Sequence, residues 1–158
     1  MSDAENQFYK DLTREDDVGL VLRGHLHIEH QLIELISTLL SLPACCDWSN
    51  INYRAKIELA YGCGLHEDLI SPLKQLGSIR NGFAHTLKAS LSKKSILDLY
   101  NSMSPRLQDG LKVAHKAIGI GELTNPLSLE PRDLLILIFV NIRQAIAAAI
   151  CIRRNRHS

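Results

Sequence analysis

Few cysteines and the lack of a basic or apolar stretch in the first residues limit the classes of protein that we expect here. Its four cysteines show neither paired spacing nor a Cys-x-x-Cys unit. This argues against a disulfide framework and against a structural zinc site. The segment from Met1 to Asp17 is polar and rich in acids, so it is not the basic and then apolar stretch of a secretory signal. We therefore expect reduced thiols and a cytoplasmic protein.

An excess of charge of one sign is also missing. The 18 basic and 17 acidic side chains nearly cancel, so no overall field attracts the molecule to nucleic acid or to an anionic membrane. Contact with a nucleic acid needs a local patch. The 158 residues, 46% of them hydrophobic, suit one domain with its own core. We expect a single helical domain over 1–158, with a partly ordered N-terminal segment at 1–14 and a basic tail at 153–158.

Apolar residues at three- and four-residue spacing predict an all-α fold, without strands. The acidic run Glu15–Asp17 favours a helix start, not a metal site. The first long helix is expected from Val18 to Leu42, and its predicted core face comprises Leu22, Leu26, Ile33, Ile36 and Leu40. A further helix is expected over about 53–61, closed by Gly62-Cys63-Gly64, and another from about 66. Helical spacing continues over 96–118 with an interruption at Ser104-Pro105, and the last helix is expected from about 131.

The last predicted helix is apolar enough from Leu134 to Ile152 to raise the question of a membrane span. Asn141, Arg143 and Gln144 lie at its middle. An arginine there costs roughly 2.5 to 3.5 kcal/mol on insertion scales. We therefore expect a core or subunit-interface helix and no membrane.

The densest group of chemically capable side chains lies between Gly77 and His85. Positions five apart on an unbroken helix point about 140° away from each other, so Arg80 and His85 converge only if the helix breaks, which we expect at Asn81-Gly82. Such a pair suits cleavage of an RNA phosphodiester. The imidazole moves protons, and the guanidinium holds phosphate oxygens and stabilises developing charge without a metal. Asn81 would orient either partner or the substrate.

The same segment also fits a purely structural interpretation. Arg80 would pair with a nearby carboxylate, Asn81-Gly82 would end a helix, and His85 would cap it or pack beside Phe83. One histidine per subunit supplies an acid or a base, but not both. A symmetric dimer would remove this objection because it brings two copies together.

The pattern Arg80-Asn81-x-x-x-His85 resembles the Arg-x(4–6)-His motif of HEPN domains. Those are small helical modules that usually work as dimers, and many are metal-independent endoribonucleases of toxin–antitoxin and antiviral defence systems. A wider ordering, from about Phe8 to Tyr100, resembles the mannitol operon repressor-like (MltR-like) family. Its three blocks are Glu15–Gly19, Lys56–Leu65 and Ile79–His85.

These resemblances imply a HEPN-like, MltR-like helical bundle that forms a homodimer, uses no cofactor and acts on or binds RNA. An antitoxin or other protein partner is also implied. The alternative is a non-catalytic transcriptional regulator that acts through protein contacts, because no helix-turn-helix with a basic recognition face is found. Two positions depart from the families' patterns: Val18 stands where an arginine is usual, and Leu87 where silenced toxins carry a tyrosine.

Histidines and a carboxylate on the first long helix are further candidates. Glu29 lies on the apolar face and should have a partner; we expect Arg80 or His85, and the alternative is that Glu29 reaches solvent. Pairing would fix the arginine and raise the pKa of the histidine. A second group on this helix has the spacing that a divalent metal requires and comprises His27, His30 and Glu34. It lacks an evident fourth ligand, so we expect these side chains to face solvent and to bind no metal. His25 is expected to be a hydrogen-bonded core histidine.

Overall fold

The all-α prediction is confirmed by a computed structural model, which describes residues 3–84, 90–117, 119 and 121–156. These residues form α-helices, short 3-10 turns and connecting loops, and none of them is in a strand. The helices are α1 Asp3–Arg14, α2 Asp17–Ser37, α3 Tyr53–Gly62, α4 Ile70–Ala84, α5 Lys93–Asn101, α6 Pro105–Ala117 and α7 Pro131–Arg156.

Helix α7 is the centre of the bundle. It packs against α1, α2, α5 and α6, and every residue from Leu134 to Ile142 is buried. The helix is long and apolar enough to cross a membrane by length and composition alone, but 56% of its apolar window is buried inside the protein. Asn141 is accommodated in this core because its side-chain amide donates to the carbonyl oxygen of Leu107 at 2.8 Å.

Helix α2 begins where the acidic run predicts. Asp16 caps it, accepting a hydrogen bond from the Gly19 amide at 2.7 Å. Asp17 binds Arg132 at the start of α7 at 3.0 Å, and its other oxygen accepts from the Leu91 amide at 3.2 Å. The acidic run therefore starts a helix and also joins three distant parts of the chain.

The predicted core face of α2 is only partly confirmed. Ile36 is buried, but Leu26 is 61% exposed, and α2 ends at Ser37, before Leu40 and Leu42. The side chains that α2 buries against the other helices include Leu20, Val21, Ile28, Leu32 and Leu35. Apolar residues occupy more than one side of this helix, so their spacing fits two faces. The close approach of α7 selects the face with Gly24, where an added Cβ would overlap the ring of Phe139.

Helices lie at both ends of the part of the chain that the structure describes. The segment predicted to be partly ordered, 1–14, contains α1 from Asp3, and its Phe8 and Leu12 enter the core. The predicted basic tail begins inside α7, where Arg153 Nε donates to the carbonyl oxygen of Cys63 at 2.6 Å. That carbonyl lies in the turn predicted to close α3, in which Gly64 has the positive φ of 100° that glycine tolerates.

Candidate functional site

A cleft of about 490 Å³ lies where α2, α3 and α4 meet, and we call it the α3–α4 cleft. Its volume is within the range of ordinary ligand sites. Gly77 lets α4 approach α3 closely, because an added Cβ would lie only 3.0 Å from the ring of Tyr53. The polar side chains in its lining are His25, Asn52, Tyr53, Arg54, Lys74, Ser78, Arg80 and Asn81.

Arg80 is half-buried, and its guanidinium is not engaged by an acid. Its Nη1 donates to Asn81 Oδ1 at 3.0 Å, and none of the described carboxylates forms an ion pair with it. The structural interpretation in which Arg80 pairs with a nearby carboxylate therefore does not hold for the described residues. A guanidinium in this state can bind an anion from outside the protein.

The helix break predicted at Asn81-Gly82 is wrong, because α4 continues without interruption to Ala84. Gly82 is exposed, and an added Cβ there would meet nothing within 4 Å. This glycine therefore neither ends the helix nor allows a close approach. His85, the other half of the predicted pair, lies outside the described residues.

Glu29 has a partner, but Arg80 is not that partner. Its Oε1 accepts from Lys56 Nζ at 2.6 Å, and its Oε2 lies 3.8 Å from His25 Nδ1. Lys56 is only 5% exposed, so this is a largely buried ion pair. Lys56 is not predicted from the sequence as the partner of Glu29. It stands next to Ile57 and four residues before Ala60, which are both buried on the same face of α3.

His25 is buried as predicted, at 2% exposure, but it is not hydrogen-bonded as predicted. Its Nε2 has no hydrogen-bond partner among the described residues. The ring packs on Tyr53 with the two centroids 4.2 Å apart. Burial lowers the pKa of His25 to about 4; Glu29 opposes this shift, whereas Arg80 and Lys56 add to it. At neutral pH this imidazole is therefore uncharged.

The cleft is electropositive. The side chains of Arg54, Lys74 and Arg80 line it, and its described lining contains no carboxylate. Arg54 lies 3.6 Å from Glu58 on the exposed side of α3. Asn52 caps α3 by accepting from the Ala55 amide, so the positive end of that helix dipole also lies at the cleft. Tyr53 stays neutral, because burial and the charge of Glu29 raise the pKa of its hydroxyl.

The predicted metal candidates on α2 are not assembled into a site. His27 packs edge-on against the Phe8 ring at 4.9 Å between centroids, and its pKa is lowered by burial and by Arg143. Glu34 binds Arg154 at 2.8 Å, and His30 is exposed. In the part of the chain that the structure describes, no three His, Cys, Asp or Glu side chains are placed to hold a metal ion.

Comparisons with protein-family models, curated proteins and solved structures give no match for this chain. The function is therefore inferred from the geometry and charge of the α3–α4 cleft.

Proposed function

We propose that the protein is a HEPN-like, MltR-like homodimer that binds single-stranded RNA through the α3–α4 cleft and cleaves it without a metal. The observation that carries this proposal is the half-buried Arg80 guanidinium, which has no carboxylate partner among the described residues and lies in an electropositive cleft. A phosphate group is the anion that such a guanidinium binds best, because the planar fork matches two phosphate oxygens.

A single strand fits this cleft better than a duplex does. Its volume of about 490 Å³ is that of a small-ligand site and not of a groove for a double helix. Single-stranded RNA can present one unstacked nucleotide to such a site. Lys74 and Arg54 would hold the neighbouring phosphates, with an affinity that falls as salt is raised.

The proposed reaction is transfer of a phosphodiester to its own ribose. The 2′-oxygen attacks phosphorus, its proton goes to a base, and the bond from phosphorus to the 5′-oxygen breaks. The products are a 2′,3′-cyclic phosphate and a 5′-hydroxyl, whose proton comes from an acid. Arg80 would stabilise the charge that develops on the phosphate oxygens, and Asn81 would orient Arg80 through their hydrogen bond. Because α4 is unbroken to Ala84, the group that moves a proton at this phosphate would be His85 of the partner subunit in the proposed homodimer.

The test is cleavage of a labelled single-stranded RNA by the purified protein in the presence of a chelator. We expect cyclic-phosphate products, and we expect the rate to fall at least about 100-fold in His85→Ala and in Arg80→Ala, as for loss of an acid–base group or of a charge-stabilising donor. Arg106→Ala is the matched control, since Arg106 lies outside this cleft and binds Asp68. Equal rates for the unmodified protein and His85→Ala would refute the nuclease assignment.

A second candidate function is a non-catalytic regulator that acts through protein contacts. The observation in its favour is a run of exposed leucines after α2, namely Leu39, Leu40 and Leu42, which are 42%, 38% and 71% exposed. Neighbouring exposed leucines of this kind are typical of surfaces that other proteins cover. A folded protein that neither binds nor cleaves RNA would favour this function. Light scattering would show whether the 17.7 kDa chain forms the proposed dimer.

A further inference from the structure

The lining of the α3–α4 cleft contains an imidazole that the proposed reaction does not use, that of His25. His25 lies in the lining with Arg80 and Asn81, although the residues are more than fifty positions apart in the chain. Because it is on α2, which packs closely on the central helix α7, its position is fixed by the core. It is therefore a rigid part of the cleft wall.

The hydrogen-bonding state of His25 is unusual for a buried side chain. More than nine-tenths of buried polar groups have a partner, whereas Nε2 of His25 has none among the described residues at 2% exposure. The Nε2 atom is also closed to solvent in the structure, so a ligand reaches it only when α3 or α4 is displaced. A ligand that then supplies the missing partner is favoured over an analogue that lacks the hydrogen-bonding group.

The neighbours of the ring indicate which partner Nε2 needs. The Glu29 carboxylate lies 3.8 Å from Nδ1, and Lys56 fixes it there at 2.6 Å. A carboxylate on that side favours the tautomer with the proton on Nδ1, which leaves a lone pair on Nε2. The partner that Nε2 needs is therefore a hydrogen-bond donor of the ligand.

We propose that His25 is the specificity-determining residue of the cleft. Its Nε2 accepts a hydrogen bond from the 2′-hydroxyl of the nucleotide whose 5′-oxygen carries the phosphate that Arg80 binds, and not from the 2′-hydroxyl that attacks this phosphate. This rests on the binding half of the proposed function. The 2′-hydroxyl is the group that distinguishes RNA from DNA. The cleft therefore selects RNA through one neutral acceptor, while Arg80, Lys74 and Arg54 bind the phosphates of either nucleic acid.

The test is binding of one labelled single strand, made as RNA, as DNA and as 2′-fluoro RNA, which cannot donate at the 2′ position. Binding is followed by fluorescence anisotropy, with His85→Ala measured in parallel so that cleavage does not consume the RNA. We expect the unmodified protein to bind RNA about three- to tenfold more tightly than either analogue, the ratio that one hydrogen bond supplies. His25→Phe keeps a ring but cannot accept, so it should bind all three strands equally and keep its affinity for DNA.

The outcomes separate this inference from the proposed function. Equal affinity of the unmodified protein for the three strands overturns the role of His25, even if His25→Phe fails to fold. An RNA preference that survives in His25→Phe also overturns it, as does an equal loss of RNA and DNA affinity. If Arg80→Ala weakens binding in these cases, RNA binding in the cleft still stands. If no strand binds, or if binding does not depend on Arg80, the proposed function fails and the inference fails with it.

Discussion

Two clefts of nearly equal size differ in the state of their polar groups. The α3–α4 cleft measures about 490 Å³, and a second one, which we call the α6–α7 cleft, measures about 450 Å³. The arginines of the α6–α7 cleft are engaged by the protein itself: Arg106 binds Asp68 at 3.1 Å, and Arg153 donates to a backbone carbonyl oxygen. Arg80 in the other cleft has no such acidic partner among the described residues. Volume therefore does not distinguish the two clefts, whereas the state of their arginines does.

The buried polar side chains near the two clefts show the same contrast. Asn141 is 7% exposed and donates to the carbonyl oxygen of Leu107, which lines the α6–α7 cleft. His25 is 2% exposed and leaves Nε2 without a partner in the described part of the chain. A buried polar atom without a partner lowers stability, so the α3–α4 side should be the less stabilised of the two. Three measurements test whether the two sides differ in this way.

The largest expected effect is the dependence of stability on pH that His25 causes. Its pKa is lowered from 6.5 to about 4 in the folded protein, so the unfolded state takes up a proton first as the pH falls. The stabilisation by the neutral ring is fully present above pH 6.5, decreases as the pH falls and is lost below pH 4. The free energy of unfolding should fall by up to about 3 kcal/mol over this window, at about 1.4 kcal/mol per pKa unit.

Urea unfolding at several pH values measures this effect. Carboxylates also titrate below pH 5, so the relevant quantity is the difference between the unmodified protein and His25→Gln, which cannot take up this proton. Parallel curves for the two proteins would show that His25 does not titrate in this way. The buried polar side chains at the α3–α4 cleft would then be as well stabilised as those at the α6–α7 cleft.

The next largest effect is expected from the buried ion pair behind the α3–α4 cleft. Lys56→Met keeps the apolar stem but leaves the Glu29 carboxylate without its cation. Removing one partner of a buried pair costs about 3 to 5 kcal/mol, and the 18% exposure of the Glu29 side chain reduces this to about 2 to 3 kcal/mol. The double variant Lys56→Met with Glu29→Gln should recover part of the loss. A single variant as stable as the unmodified protein would show that the pair is not structural.

The smallest effect on stability is expected from exchanging one surface cation in each cleft. Lys74→Ala and Arg106→Ala should each change the free energy of unfolding by less than about 1 kcal/mol, since both side chains are exposed. They should differ in RNA binding. Lys74→Ala should weaken it and make it less dependent on salt, and Arg106→Ala should leave it unchanged. Equal effects of the two variants on RNA affinity would contradict the functional difference between the clefts.

Features that depend on neighbouring residues in the chain were predictable from the sequence, whereas features that depend on how the helices pack were not. The α2 start at Asp16 and the turn at Gly62–Gly64 follow from neighbouring residues, and both predictions are confirmed. The core face of α2 was predicted only in part, because apolar residues lie on several sides of the helix. Packing against α7 determines which of them are buried. Gly82 was read as a break, but a single exposed glycine costs a helix only about 1 kcal/mol, which the packing of α4 outweighs.

The candidate site was also only partly predictable. Arg80 and Asn81 were found because they are adjacent in the chain, and they do lie together in the cleft. Tyr53 comes from α3 and His25 from α2, so only the tertiary structure brings them to Arg80. Glu29 was correctly expected to have a partner on physical grounds. The identity of that partner depended on how α3 faces α2, which residue spacing does not specify.

The contact of Gly24 with Phe139 has a mechanical consequence for access to the cleft. At Gly24 the backbones of α2 and α7 are so close that the Phe139 ring fills the space that a side chain would need. Helix α2 therefore cannot slide or tilt relative to α7 without unpacking the core. His25 is the next residue and is held by the same contact. Any widening that admits a nucleotide must come from displacement of α3 or α4, so hydrogen exchange should change on those helices and stay constant on α2.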